Sequence, residues 1–387
     1  MAISNGGQYE KLTLPESVEK WVNDVWRGID AKLSCVAPRV RGKIPYSAKD
    51  GVFDDKSAWP MVWTNGFWPG MMWLMYAATG KKLYADCALE AQSATEKALK
   101  HYEYLSHDVG FLFDITNCAH YRLTDDEHSK QIALLAANTL AGRFKLAGNY
   151  IRSWDGKWKE YETNGISIID CMMNLPLLYR ASEITNDRRY RDIAKAHADT
   201  AMQYHVRADG SVNHIIEFDD EGEYLRSLPG QGYGIMENAW SRGQAWGIYG
   251  FILSYIHTKE QRYLDTAKRI AHYFVANLYD ECIPVSDFRA PDKPVLYDTS
   301  AAAIAACGLI EIARAVPKLE QKMYLTWAIK ILKELTNRFA SLEDNKDNIL
   351  EGGCEMYDSM VQLPLIYADF YYVEAFSKLM GFDILMW

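Results

Sequence analysis

Gly66-Phe-Trp-Pro-Gly-Met-Met-Trp-Leu-Met-Tyr76 carries no charge on any face. A helix lying on a protein surface pairs an apolar stripe with a polar face, so a helix apolar all round has to be covered on every side. The segment that follows, about 82–104, is of the opposite kind, amphipathic and heavily charged. This alternation runs the length of the chain. Charged helices are expected near 15–34, 82–104, 125–147, 187–205, 261–277 and 318–339, each followed by an apolar one near 66–78, 110–122, 165–180, 242–256, 299–313 and 360–378.

A weak internal repeat supports the pairing. Thr79-x4-Tyr84-x3-Ala88, Thr185-x4-Tyr190-x3-Ala194 and Thr258-x4-Tyr263-x3-Ala267 each open a charged helix, with Tyr324-x3-Ala328 as a partial copy. Helical hairpins can stack into an open solenoid, but a solenoid gives no reason for its inner helices to be apolar on all sides. A closed ring of six inner helices within six outer ones gives one. The sequence therefore predicts an all-α fold, an (α/α)6 toroid in a single domain over 1–387, with rim loops at 206–240 and 281–298. Asp209-Gly210, between alternating residues, predicts a short β-hairpin in the first of these loops.

The formal net charge of −9 and the absence of a Lys/Arg cluster argue against a nucleic-acid partner. Seven scattered cysteines without a Cys-x-x-Cys pair indicate neither a disulfide framework nor a zinc site, and no clustered histidines suggest another metal. No cofactor is expected. The N-terminal stretch lacks the features of a secretion signal and no apolar run is long enough to span a bilayer, so a cytoplasmic protein, a monomer or weak homo-oligomer without a membrane partner, is expected. The 12 Trp and 25 Tyr suit flat, amphipathic ligands such as sugars.

Polar residues collect where the inner helices are expected to begin, which in a toroid is one mouth. Asn164-Gly-Ile-Ser-Ile-Ile-Asp170-Cys-Met-Met-Asn-Leu175 sets one carboxylate in apolar surroundings. Read as a buried helix, this stretch predicts a raised pKa for Asp170 and a group able to serve as acid and base in turn. His107-Asp108-Val-Gly-Phe111 supplies a second carboxylate, and two acids at one mouth suggest sugar chemistry. Trp240-Ser-Arg242-Gly-Gln-Ala-Trp246 places an arginine between two indoles, suited to a carboxylate on a ring or to a structural ion pair. Helix N-termini at the mouth favour an anion, although Asp298 and Ser241 also read simply as N-caps. Gly230-Gln-Gly232-Tyr-Gly234 looks like a phosphate loop but follows no strand-to-helix unit.

Taken together, Trp63-Thr-Asn-Gly-Phe-Trp-Pro-Gly70, the His107-Asp108 segment, Ile169-Asp170, His214, the Trp240 to Trp246 segment, Asp298-Thr-Ser-Ala-Ala-Ala-Ile304 and Asp369-Phe-Tyr-Tyr-Val-Glu-Ala375 resemble the unsaturated glucuronyl hydrolases of glycoside hydrolase family 88. The resemblance covers nearly the whole chain, in order. The unsaturated rhamnogalacturonyl hydrolases of family 105 share the toroid and the arginine-glycine segment, while the His-Asp pair favours family 88. The resemblance implies hydration of the C4=C5 vinyl ether that polysaccharide lyases leave in a terminal uronic acid. It matches Asp170 to the acid/base and Asp108 to a second essential acid. His107, Trp63, Asn65, Trp154, His214, Gln231, Trp240, Arg242, Gln244 and Trp246 would line the subsite for the unsaturated ring of the oligosaccharide partner. An inverting glycosidase and a non-catalytic sugar-binding toroid are the competing readings.

Family members acting on sulfated fragments carry serines and a lysine ahead of the last inner helix. Here 353–369 holds one serine, Ser359, no lysine, and acids at Glu355 and Asp358, which implies a preference for unsulfated disaccharides.

Overall fold

The computed structural model describes residues 12–101, 105–158, 161–278, 282–382 and 386–387. Six outer-inner helix pairs follow one another. Outer helix α1 (Glu16–Val40) leads to inner α2 (Phe67–Thr79), and outer α3 (Lys82–Thr95) to an inner helix in three parts: α4 (Val109–Phe113), a π turn (Asp114–Cys118) and α5 (Ala119–Thr124). Outer α6 (Glu127–Ala141), α8 (Arg188–Tyr204), α10 (Gln261–Ala276) and α12 (Lys318–Arg338) precede inner α7 (Leu175–Thr185), α9 (Ser241–Thr258), α11 (Thr299–Ala315) and α13 (Ile366–Leu379). Each inner helix packs on the next, and α13 returns to pack on α2, so the ring closes as the toroid reading requires. Closure explains the sequence pattern: every described residue of α11 up to Ala313 is buried, with Ala301, Ala302, Ala303, Ala305 and Ala306 letting its neighbours approach closely.

The repeat marks the turn from each inner helix to the next outer one. Thr79, Thr185 and Thr258 end inner helices, their hydroxyls donating to the carbonyls of Met75, Ala181 and Ser254 at 2.6, 2.7 and 2.7 Å. A left-handed residue follows each: Gly80 (φ 69), Asn186 (φ 58) and Lys259 (φ 61). The repeat tyrosines then lace one outer helix to the one before it. Tyr84 donates to Asp30 (2.8 Å), Tyr190 to Asn138 (2.8 Å) and Tyr263 to Asp199 (2.9 Å), and the Tyr324 hydroxyl lies 3.0 Å from His272. The alanines four positions on are fully buried, leaving room for the contact.

Inner-to-outer turns are tight, so the long outer-to-inner connections gather at the other end of the ring and build its mouth. Here the structure corrects five expected boundaries. The first charged helix, expected to end near 34, runs on to Val40. The stretch 165–180 is not one buried helix: Ile166–Ile168 is a strand, Ile169–Met173 a 3-10 turn, and α7 starts only at Leu175. Pro176 in the first turn of α7 cannot extend a helix from upstream, and the β-branched isoleucines favour extended backbone. The strand pairs antiparallel with Ile215–Phe218, which pairs with Tyr224–Leu228. The charged helix expected to reach 147 stops at Ala141, and Phe144–Lys145 pairs instead with Tyr150–Ile151. The helix expected over 82–104 gives way after Thr95 to a 3-10 turn, Glu96–Lys100, with 102–104 outside the described residues. The last inner helix begins at Ile366 rather than 360, beyond Pro364. The predicted Asp209-Gly210 hairpin appears as a Val206–Val212 bridge around Gly210 (φ 88).

Candidate active site

Strand pairing, not helix burial, sets Asp170. The Ile169 N–H donates to the His214 carbonyl (3.1 Å), so the strand ending at Ile168 and the one beginning at Ile215 deliver Asp170 and His214 side by side. His214 Nε2 lies 3.4 Å from Asp170 Oδ2. His214 Nδ1 accepts the Gln231 N–H at 3.0 Å, so the ring proton sits on Nε2, facing the carboxylate. Behind them, His205 Nδ1 meets the Asn213 carbonyl (2.9 Å), and its Nε2 takes the Ser167 hydroxyl (3.1 Å), locking both strands. The Trp240 indole packs on the His214 ring at 4.3 Å.

The electrostatics of Asp170 differ from the sequence expectation. Burial pushes its pKa up, but His214, then His107 and Arg242, pull it down further, and the balance lies below the ordinary aspartate value. A protonatable carboxyl is found one loop away. For Asp108, burial outweighs the pull of His107 and Ser106, the charge of Asp170 adds to the rise, and its pKa lies above the ordinary value. Asp108 Oδ1 is 3.4 Å from His107 Nε2, and its Oδ2 accepts from the Ser106 hydroxyl at 2.8 Å. Burial holds the His107 pKa down, so this ring is neutral.

Asn174 ties the two carboxylates together. Its Oδ1 accepts the Phe111 N–H (2.9 Å) and its Nδ2 donates to the Asp170 carbonyl (3.3 Å). Gly110 makes this approach possible, because a Cβ there would lie 2.5 Å from the Asn174 Cα.

Arg242 is fully buried and already has many partners. Its Nη1 donates to the Tyr367 hydroxyl (2.6 Å), the Cys354 carbonyl (2.9 Å) and Ser300 (3.3 Å), and its Nη2 to the Glu355 carbonyl (2.9 Å) and Gln231 Oε1 (3.2 Å). Asp298, the N-cap of α11, stands 3.8 Å away as counter-ion. The guanidinium lies over Trp240 and Tyr367 at 4.6 and 5.1 Å. Gln244 spans the Val212 backbone, accepting its N–H (2.9 Å) and donating to its carbonyl (3.1 Å). Arg242 and Gln244 therefore shape the walls, while Ser241, which read as an N-cap, bonds the Ser286 carbonyl instead.

Trp63 is half-buried against Phe111 (5.3 Å) and Tyr367 (5.0 Å), while Trp154 packs against the small apolar cluster of the three-stranded sheet, whose first strand leads into Asp170. Asn65 donates to the Trp59 carbonyl (2.8 Å). Several buried polar atoms have no protein partner: Trp240 Nε1, Trp246 Nε1, His107 Nδ1, Asn65 Oδ1 and the Tyr371 hydroxyl. Buried polar groups in native proteins are nearly always satisfied, so these atoms are candidates to meet a polar ligand. Tyr371 was not foreseen from sequence. Burial first, then Glu374, Cys307 and Asp170, push its phenol far above the ordinary value, leaving a neutral O–H donor. Its i, i+4 spacing from Tyr367, which puts both tyrosines on one face of the last inner helix, is the signal that could have found it.

Residues 37–384 match the sequence model of Glycosyl Hydrolase Family 88. Over 330 residues, 82% of this chain and 86% of the relative, the sequence is 36% identical to an unsaturated glucuronyl hydrolase of Bacillus sp. (strain GL1). It is 33% identical over 326 residues, 82% of this chain and 80% of the relative, to an unsaturated chondroitin disaccharide hydrolase of Streptococcus pyogenes serotype M1. Among solved structures, a mutant unsaturated glucuronyl hydrolase from Streptococcus agalactiae complexed with dGlcA-GalNAc6S superposes with a TM-score of 0.81 at 27% identity, covering 100% of this chain and 98% of that one.

Proposed function

From the premise that this chain belongs to glycosyl hydrolase family 88, we propose that it releases the unsaturated uronic acid from the non-reducing end of lyase-generated, glycosaminoglycan-type disaccharides by hydrating the C4=C5 vinyl ether. The observation that carries the reading is the pair Asp170–His214, whose imidazole N–H is fixed toward the carboxylate. Asp170 donates a proton to C4 and charge develops on C5 and the ring oxygen. The Asp170 carboxylate then takes a proton from the water that attacks C5. The C5 hemiketal opens to a ketone, and the C1 hemiacetal so formed collapses to an aldehyde and frees the aglycone alcohol. Free Asp170 is held anionic by its neighbours. A bound uronate adds a like charge and excludes water, and both raise its pKa toward the acid role. Asp108, with its raised pKa, supplies a hydroxyl-directed hydrogen bond. Trp63, Trp240, Trp246, His214 and Gln231 position the ring. Arg242 and Gln244 act by holding those walls, and Trp154, Asn65 and His107 complete the subsite.

A second reading draws on the opposed pKa directions of the two acids, which suit a direct acid and base pair in an inverting glycosidase. The experiment follows the ultraviolet absorbance of the C4=C5 bond in an unsaturated chondroitin disaccharide. Its loss on turnover, with saturated glycosides left intact, is expected. Tight binding with no loss of absorbance would instead indicate a sugar-binding toroid, and turnover of saturated glycosides the inverting enzyme. The reading extends to a single catalytic domain over 1–387, a monomer or weak homo-oligomer without nucleic-acid or membrane partner. A cytoplasmic setting is in keeping with the absence of a disulfide among the described residues.

A further inference from the structure

The mouth has a second cavity, of about 670 Å³, walled by the rim loop 285–297 and by Tyr357. That volume lies within the range of small-molecule sites. What separates it from the candidate active site is the glycine-rich loop 230–234, the segment whose sequence looks like a phosphate loop. A Cβ at Gly230 (φ 66) would fall 1.9 Å from His214 Nδ1, and one at Gly232 would fall 2.4 Å from Asp287 Oδ2. The partition between His214 and the cavity wall is thus a single backbone thick, and its glycines are what make it so thin.

Asp287 fastens this partition. Its carboxylate accepts the backbone N–H groups of Tyr233 (3.0 Å), Ala239 (2.9 Å) and Arg289 (2.9 Å), which leaves it a structural anchor. Tyr357 belongs to both compartments. Its N–H donates to the Gln231 carbonyl (3.0 Å), its ring meets Tyr233 edge-on at 5.2 Å, and its side lines the cavity together with Phe288 and Tyr297. The cavity thus lies next to the loop that holds His214, across Tyr233 and Tyr357, and its wall carries three aromatic rings, Phe288, Tyr297 and Tyr357, the surface on which sugar rings stack.

We infer that this cavity is a distal saccharide subsite, which takes the sugar units beyond the first two of longer unsaturated oligosaccharides. The inference rests on the proposed hydrolase reading and adds a preference in substrate length. The test compares kcat/KM for the unsaturated disaccharide and the unsaturated tetrasaccharide of unsulfated chondroitin, in the wild-type protein and in Ala290→Trp and Tyr297→Ala. Ala290→Trp fills the cavity and Tyr297→Ala removes one of its rings; neither residue belongs to the site around Asp170. The wild type is expected to favour the tetrasaccharide by about 5- to 10-fold, mainly through KM. Both variants should lose most of that advantage with disaccharide turnover unchanged, and if Ala290→Trp loses disaccharide turnover, Tyr297→Ala decides. Equal values for the two sugars in the wild type, or an advantage that survives the ring removal, would overturn the inference while the hydrolase reading stands. Turnover of neither sugar would overturn both.

Discussion

Asp170 has to give up a proton at one moment and take one at the next, and its surroundings decide whether it can. Asp170→Asn keeps the shape and removes the titrating group. We expect kcat to fall by roughly 10²-fold or more while the KM for the unsaturated disaccharide stays within a few fold; unaltered turnover in steady-state assays would move the chemistry elsewhere. Arg242 is tied to 354–355, Tyr367 and Asp298, so Arg242→Ala should both raise KM and lower unfolding stability, by about 3–5 kcal/mol, as the buried Asp298 loses its counter-ion. Denaturant melts and KM measured on the same preparation check this, and unchanged stability would deny Arg242 its walling role. Glu355 is the third telling residue. Burial alone pushes its carboxyl from 4.5 up to about 7, and its Oε2 has no partner. The folded protein thus binds this proton more tightly than the unfolded chain, so stability declines as pH rises from about 4.5 to about 7 and is level above that. Glu355→Gln should stabilise the protein at pH 8 by on the order of 1–3 kcal/mol and leave it unchanged at pH 4. Above pH 7 the same charge opposes a sulfate. The preference for unsulfated over 6-sulfated chondroitin disaccharide should therefore grow with pH in the wild type and flatten in Glu355→Gln; a clear preference for the sulfated sugar would show that another loop supplies a cation.

At the scale of elements, the alternation of charged and apolar helices was legible because each helix carries its own burial in its 3.6-residue pattern. All six pairs lie where the pattern places them, within the limits of fraying and of the corrected ends. Asp170 stands out in the sequence as a candidate acid, but its setting does not. Ile166 to Ile169 is a short apolar run that reads equally as strand or helix, and its partner is the strand at Ile215–Phe218, which no local pattern can announce. The same holds for His205, Asn174 and Tyr371, whose roles exist only across the ring. The repeat was visible, but its meaning as lacing between outer helices needed coordinates. Tyr84→Phe, Tyr190→Phe and Tyr263→Phe should each cost about 0.5–1.5 kcal/mol in denaturant unfolding with kcat untouched, since each loses the hydroxyl that bonds the preceding outer helix. Gly110→Ala acts oppositely. A methyl 2.5 Å from the Asn174 Cα must push the Asp108 loop away from Asp170, so activity should fall more than tenfold with a smaller loss of stability. Undiminished activity would show that the spacing of the two acids is not critical.

For the whole molecule, a closed ring puts tight turns at one end and all its long connections at the other. A barrel whose core is sealed by helices thereby gains a mouth that carbohydrate can enter. Two carboxylates with opposed pKa directions lie at that end of the ring, with a neutral tyrosine and two indoles buried and without a protein partner for their donors. Vinyl-ether hydration sends the proton to C4, and Asp170 delivers it from one face of the ring. Turnover of an unsaturated chondroitin disaccharide in heavy water, read by mass spectrometry and NMR, measures this directly. One deuterium on a single face of C4, seen before the keto acid exchanges with solvent, is predicted; label spread over both faces, as spontaneous ketonisation of a released enol gives, would contradict vinyl-ether hydration by Asp170.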